Sequence, residues 1–588
     1  MTRQSVNRLV VFNYTLILCL LITLTFKLHA QSHTPHHPIL KKPKLILQIT
    51  VDALRGDLLN RYQKNLSKEG FNRLINNGIT YTNAHYQHAN TETIVGHASL
   101  ATGAPPAIHG MIGNIWFDRN QNRVVYNIED PHYGLLTKGG GVDPLNEIDP
   151  TQKAAKNEGR SPIALLTSTI SDEIAIANPH SKIFAISIKD RGAVSFAGQY
   201  GKAFWFSKTS ATFVTSNYYY QNYPDWIEQW NERRHINQYH DQQWKLNLPE
   251  NQYLHANENV VTPNTNYKTD IDGFGTRFPH SYGKANDKSF TTKLTLGPAG
   301  DTLTALFAKA LLENEQLGQD DTTDYLSISF SSNDYVLHLF GPSSLEAEDN
   351  LLKLDQTLAN LFHYIDKQIG FENTLIILSA DHGAPEVPQY LKLQGNQKAH
   401  YFSPKLLSTP LFFSNIEKQL KLNKGQGKTL VQRYAHPYLY LNYDQIKKNK
   451  LDIQQAQDIF ATEIRKLKGV AYAIPSHQIA LGALPKNHIM TLINNNYHRS
   501  RSGDIHLIFS PQTFINELDG LEVASMHGSP WQYDTFVPII FAGSHLQTKT
   551  VNRAVTPYSI APTIAAYLGI TPPSGTSADR LREVLYRQ

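Results

Sequence analysis

Four short apolar, β-prone runs, each leading to a charged residue, set the frame for this chain. Leu45 to Val51 ends at Asp52, and Ile183 to Ile188 ends at Lys189. Tyr325 to Phe330 leads to Asp334, and Thr374 to Leu378 leads to Asp381. Near-continuous apolar runs of this length predict strands buried on both faces. Helical patterns separate them. Leu351, Leu354, Leu358, Leu361, Phe362 and Ile365 recur at helical spacing behind a capping box of Ser343 and Glu346, and residues 302–314 and 556–567 also read as helices. Strands alternating with helices predict an α/β fold, with a mostly parallel central sheet and helices on both faces. In such sheets ligands gather beyond the carboxyl ends of the strands, which is where the polar residues fall.

The amino terminus reads as an export signal over residues 1–30. Arg3 and Arg8 precede an apolar run from Tyr14 to Phe26, too short to span a bilayer comfortably, and cleavage after Ala30 fits it. An uncleaved anchor is the alternative. Cleavage predicts a periplasmic or secreted protein with no stable membrane association. It also removes Arg3, Arg8 and Lys27, lowering the net charge from +5 to +2. So small a charge gives no case for a nucleic-acid or membrane-surface partner. The single cysteine, Cys19, lies inside the signal. Disulfides and thiolate ligands are thereby excluded, and a metal site must use His, Asp and Glu. Residues 31–43 read as a flexible lead-in and 44–588 as the catalytic domain. Within it, periodicity weakens at about 192–300 and 385–520, read as cap-type insertions around the active face.

Four polar clusters stand out among 25 histidines: Asp52, Asp334 with His338, Asp381-His382 before Gly383, and His527 before Gly528. Asp and His at i and i+4 can converge on one ion from a helix face. Thr91 to Ser99 reads as a loop entering a helix, which puts the Thr93 hydroxyl where backbone amides and the dipole favour an anion. That position suits a phosphoryl acceptor; taken by itself, Thr93 also suits a plain N-cap.

Val51 to Asp57, Thr93 to Gly103, Ala380 to Gly383, Tyr533 to Pro538 and Ile560 to Thr563 together resemble the alkaline phosphatase superfamily, in its bacterial phosphate-irrepressible branch. The resemblance runs from about residue 44 to 583. It implies two Zn²⁺, one held by Asp52, Asp381 and His382 and the other by Asp334, His338 and His527. Thr93 would be the nucleophile between them and a ligand. Asn114 matches a residue that binds a phosphoryl oxygen, and Lys189 with Arg191 matches the pair of the monoesterase branch. His97 and His109 take structural roles. Leu337 departs from the family, which commonly has glycine before the second-site histidine.

The implied activity is hydrolysis of small-molecule phosphate monoesters through a phosphothreonine. The nearest rival is a phosphodiesterase or nucleotide pyrophosphatase of the same superfamily. More distant rivals are a phosphomutase and a non-catalytic exported metal-binding protein. A sulfatase is disfavoured by the missing cysteine and by threonine at the nucleophile position. Oligomeric state is left open by the sequence.

Overall fold

The computed structural model describes residues 42–256, 267–518 and 520–585. The signal at 1–30, most of the lead-in and part of the 192–300 segment lie outside the described residues.

The central sheet has nine strands: β1 (Leu45–Val51), β2 (Gly78–His85), β3 (Ile183–Ser187), β4 (Lys202–Ser207), β5 (Thr212–Val214), β6 (Asp324–Phe330), β7 (Thr374–Ser379), β8 (Phe536–Gly543) and β9 (Lys549–Val551). They lie in the order β9-β2-β8-β7-β1-β6-β3-β4-β5. Only β5 and β8 run against the rest. Every residue of β1, β6 and β7 is buried, as expected of mostly apolar parallel strands covered by helices on both faces. Helix α1 (Thr93–Thr102) packs on α2 (Asp190–Ala197), and α2 packs on β3 and β4. A second group comprises α3 (Pro298–Asn314), α4 (Ser332–Phe340) and α5 (Leu345–Gln368).

This strand order brings the polar residues to one end. Strands β7, β1, β6 and β3 are parallel neighbours, so the segments leaving them present Asp381, Asp52, Asp334 and Lys189 side by side. The antiparallel β8 enters the sheet at that same end, because Ile539 lies opposite Ser379. Its approach carries His527 there. His85 of β2 lies opposite Phe536, so the loop to Thr93 also starts there.

Three sequence expectations shift. Phe204-Trp205-Phe206, placed within the 192–300 insertion, belongs to β4 of the central sheet, buried and paired with β3 on one side and β5 on the other; aromatic residues are enriched in strands. The capping residue of α5 is Ser344, whose Oγ accepts from Ala347 N at 3.1 Å. Ser343 Oγ instead accepts from Arg61, and the Glu346 carboxylate pairs with Lys268 at 2.6 Å. The helix expected from 302 begins at Pro298, and that expected from 556 begins at Ile560 after a single 3₁₀ turn.

Within residues 400–518, Val431–Ala435, Tyr438–Leu441, Ile505–Phe509 and Val470–Pro475 form a separate antiparallel sheet. Helices Pro410–Leu420 and Ile453–Ile464 supply part of its own apolar core, through Phe412, Ile416, Phe460 and Ile464.

Candidate active site

Thr93 is the first residue of α1, and Glu92 is its extended N-cap residue. The hydroxyl of Thr93 is therefore free of capping duty. Asn114 takes part of that duty instead: its Oδ1 accepts from Ile94 N at 3.1 Å, while its own backbone N donates to Glu92 Oε2 at 2.6 Å. With Oδ1 engaged, Asn114 has its amide donors left for a ligand. Burial pushes the Glu92 carboxyl up to about 7, against the lowering effect of the Asn114 amide. The helix packs directly on the Asp381 turn. A Cβ on Gly96 would stand 1.9 Å from the Asp381 carbonyl oxygen, so only glycine permits this approach.

Three histidines are oriented alike. Nδ1 of His338, His382 and His527 donates to the carbonyls of Ser525, Gly383 and Thr91 at 2.8, 2.9 and 2.8 Å. Each Nε2 is then a lone-pair donor. Nε2 of His338 and of His527 each lies 3.3 Å from Asp334 Oδ1. His382 Nε2 lies 3.4 Å from both Asp52 Oδ1 and Asp381 Oδ2. A neutral imidazole lone pair facing a carboxylate is repulsive unless a cation lies between them. Asp52 Oδ1, Asp334 Oδ1 and His382 Nε2 are also buried without a hydrogen-bond partner, which burial alone makes costly. The donor set fits two divalent ions.

The grouping differs from the sequence assignment in one respect. Asp334, His338 and His527 form one cluster, while Asp52 and His382 cluster with Asp334 as well. Asp381 flanks the second cluster. Its Oδ1 accepts from Ala53 N and His382 N at 3.1 Å, and its Oδ2 lies 3.1 Å from His97 Nδ1. His97 bridges onward from Nε2 to Ser329 Oγ at 2.8 Å, and His109 Nε2 meets Ser99 Oγ at 3.1 Å.

Lys189 and Arg191 are both buried. Lys189 Nζ lies 2.8 Å from Asp52 Oδ2 and 2.5 Å from Asp334 Oδ2. Burial lowers its pKa, but the two carboxylates more than offset this and hold it above the usual lysine value. Asp52 is pushed up by burial and by Asp381, with Lys189 opposing. One ammonium among three buried carboxylates leaves an excess of negative charge that a cation would neutralise. Arg191 Nη2 lies 3.4 Å from Thr93 Oγ1, and its Nη1 donates to Asp149 Oδ2 at 2.8 Å.

Thr93, Asn114, Lys189, Arg191, Asp334, His338 and His527 line one cavity of about 70 Å³. Asp52, Asp381 and His382 do not line it and are fully buried. A wider groove of about 840 Å³ adjoins the cavity, sharing Glu92, Pro150, Thr151, Met526 and His527 with it.

A family model described as type I phosphodiesterase / nucleotide pyrophosphatase matches residues 46–530. The chain belongs to this family. Within the type I phosphodiesterase/nucleotide pyrophosphatase family and its alkaline phosphatase relatives, three similarities extend over nearly the whole chain. A calcium-transporting ATPase of Myroides odoratus is 32% identical over 553 residues, 93% of this chain and 95% of that one. Alkaline phosphatase PhoV of Synechococcus elongatus is 32% identical over 550 residues, 92% and 93% of the two chains. Alkaline phosphatase PafA of Elizabethkingia meningoseptica is 31% identical over 553 residues, 93% and 95%. The crystal structure of wild-type PafA matches with a TM-score of 0.80 at 28% identity, over 92% of this chain and 99% of that one. A further PafA structure carries substitutions at a threonine, an asparagine, a lysine and an arginine. Fold and relatives make this chain an enzyme of the alkaline phosphatase superfamily.

For a type I phosphodiesterase/nucleotide pyrophosphatase family member, two features of the site escaped the sequence motifs. Asp149 anchors Arg191 and is itself fixed by Thr151, whose N donates to its Oδ1 at 2.9 Å. Asp149-Pro150-Thr151 is legible as a helix start, but its partner lies 42 positions away. Asp190, between Lys189 and Arg191, accepts at its side chain from Arg160 Nε at 2.6 Å and from Tyr126 OH. The Asp190 carboxylate thus does not draw either cationic side chain away from the cavity that both line. Leu337 is buried in an unbroken α4, with Gly341 N donating to its carbonyl at 2.9 Å.

Proposed function

We propose that this chain hydrolyses phosphate monoesters by transferring the phosphoryl group to Thr93 and then to water. Two Zn²⁺, at Asp52/Asp381/His382 and at Asp334/His338/His527, would supply the Lewis acidity that activates the attacking oxygen and neutralises the departing one. Thr93 Oγ1 attacks phosphorus in line from the amino end of α1, and a phosphothreonine results. Arg191, held by Asp149 within 3.4 Å of that hydroxyl, meets the phosphoryl oxygens together with the Asn114 amide. These donors are fixed before substrate arrives, which lowers the reorganisation needed in the transition state. The threonine and asparagine substituted in the PafA variant are 21 positions apart and the lysine and arginine two apart, the same spacings as Thr93–Asn114 and Lys189–Arg191. Cleavage of the terminal phosphoryl group of ATP, suggested by the name of the Myroides relative, is chemistry of the same kind.

The observation that carries the monoester reading is the pair of buried cations beside Thr93. A monoester dianion offers three non-bridging oxygens, one more than a diester exposes, and cationic donors reward the extra charge. Joint replacement Lys189→Ala and Arg191→Ala should lower monoester kcat/KM by roughly 10³–10⁵-fold, since one preorganised donor alone is worth on the order of 2.7–4 kcal/mol, about 10²–10³-fold. Diester kcat/KM should change by less than about tenfold. Equal losses on both substrates would move the protein to the diesterase branch. Export belongs to the same proposal: residues 1–30 have the makeup of a signal, and among the described residues no helix is long and apolar enough to cross a membrane.

A further inference from the structure

Directly after Asn114 the chain forms a hairpin of Ile115–Asp118 and Arg123–Tyr126, with Phe117 opposite Val124. In an antiparallel pair, opposed residues share a face, so Ile115, Phe117 and Val124 point the same way. They form one wall of the 840 Å³ groove, and Tyr434, Phe509 and Met526 line it as well. The far wall is tied to the catalytic loop. His436 stacks on Phe509 with ring centroids 5.8 Å apart, and its Nε2 donates to the carbonyl of Gly528, next to His527, at 3.2 Å.

The groove meets the phosphoryl cavity at Glu92, Pro150, Thr151, Met526 and His527, while Thr93, Lys189 and Arg191 line only the cavity. It therefore opens from the cavity between His527 and the Pro150-Thr151 turn that follows Asp149. Its size falls within the range of small-molecule sites. Charges along it are of both signs, with Lys153, Lys156 and Arg433 against Glu92, Glu517 and Asp534, and Arg123 is paired with Glu129. The mixed signs make no single-sign patch for a second anionic group, whereas Ile115, Phe117 and Val124 offer an apolar one a wall.

We propose that this groove is the leaving-group site, and that the enzyme selects phosphate monoesters of extended apolar or ring-bearing alcohols. The inference rests on the monoesterase reading and specifies its substrate class. Burial of the leaving group's carbon chain against Phe117, Val124 and Tyr434 removes apolar surface from water. Each buried methylene is expected to raise kcat/KM by up to roughly fourfold, until the groove is filled.

The test is a series of n-alkyl phosphates from ethyl to octyl, kept below their micellar concentrations. Leaving-group basicity is nearly constant along such a series, so chain length reports binding to the groove. The zinc-loaded wild-type protein should show kcat/KM rising by about 10²-fold or more from ethyl to octyl. In Phe117→Ala with Tyr434→Ala the rise should shrink to under tenfold, and Val124→Asn should flatten it without a large void. Inhibition by inorganic phosphate, which engages only the smaller cavity, checks that each variant is folded. Rates on all the alkyl phosphates that are independent of chain length would overturn the groove assignment while leaving the monoesterase reading intact. A rise confined to alkyl phosphodiesters would also overturn it. No turnover of ethyl phosphate or of an aryl monoester would overturn both readings.

Discussion

Thr93→Ala is expected to lower kcat/KM for an aryl phosphate monoester by roughly 10⁴–10⁶-fold, the scale of losing a nucleophile from a preorganised site. The substitution removes the attacking oxygen and leaves its surroundings in place. Asn114 Oδ1 still accepts from Ile94 N, and Arg191 remains paired with Asp149. Phosphate should still bind, with an inhibition constant within about tenfold of wild type. Acid quenching during turnover should leave phosphate bound to wild-type protein at Thr93 and none on the variant. Retention of even a hundredth of wild-type activity would indicate that water attacks the substrate directly.

Removal of divalent metal is expected to have an effect of similar size. Asp52, Asp334 and Asp381 share a buried site with Lys189 as the nearest cation, and three histidine Nε2 atoms face their oxygens at 3.3–3.4 Å. Dialysis against a chelator should reduce monoesterase activity below about a thousandth and lower the unfolding temperature, since an ion bound only by the native state stabilises it by mass action. Each site held at about 1,000 times its Kd would contribute about 4 kcal/mol. Zn²⁺ should restore both properties at two equivalents per chain. Full activity at substoichiometric metal would contradict this account of the histidine orientation.

The sheet and the ends of its strands were legible because β1, β6 and β7 are short, mostly apolar and β-prone runs, which suit buried parallel strands. The same logic made Asp52, Asp334 and Asp381 visible as charged residues just beyond apolar runs. Lys189 was visible for the same reason, and Arg191 only through the family resemblance. Asp149 was not, since an aspartate before Pro150 has a sufficient local role as a cap. Nor was the sharing of Asp334 between both clusters, which depends on the spacing of α4 from β1. The aromatic stretch at 204–206 was misplaced because it is short and runs straight into Ser207-Lys208-Thr209-Ser210, so its pairing with β3 and β5 shows only in the fold. The groove needed the fold itself: Phe117 and Tyr434 are more than 300 positions apart, and each alone reads as ordinary core.

The most direct test of the central claim is steady-state hydrolysis of a matched aryl phosphate monoester and diester by the zinc-loaded mature protein. The buried cations beside Thr93 predict a kcat/KM for the monoester at least about 10³-fold above that for the diester. A preference for the diester would contradict the claim, and would place the same fold and ligand set on the diesterase side of the superfamily.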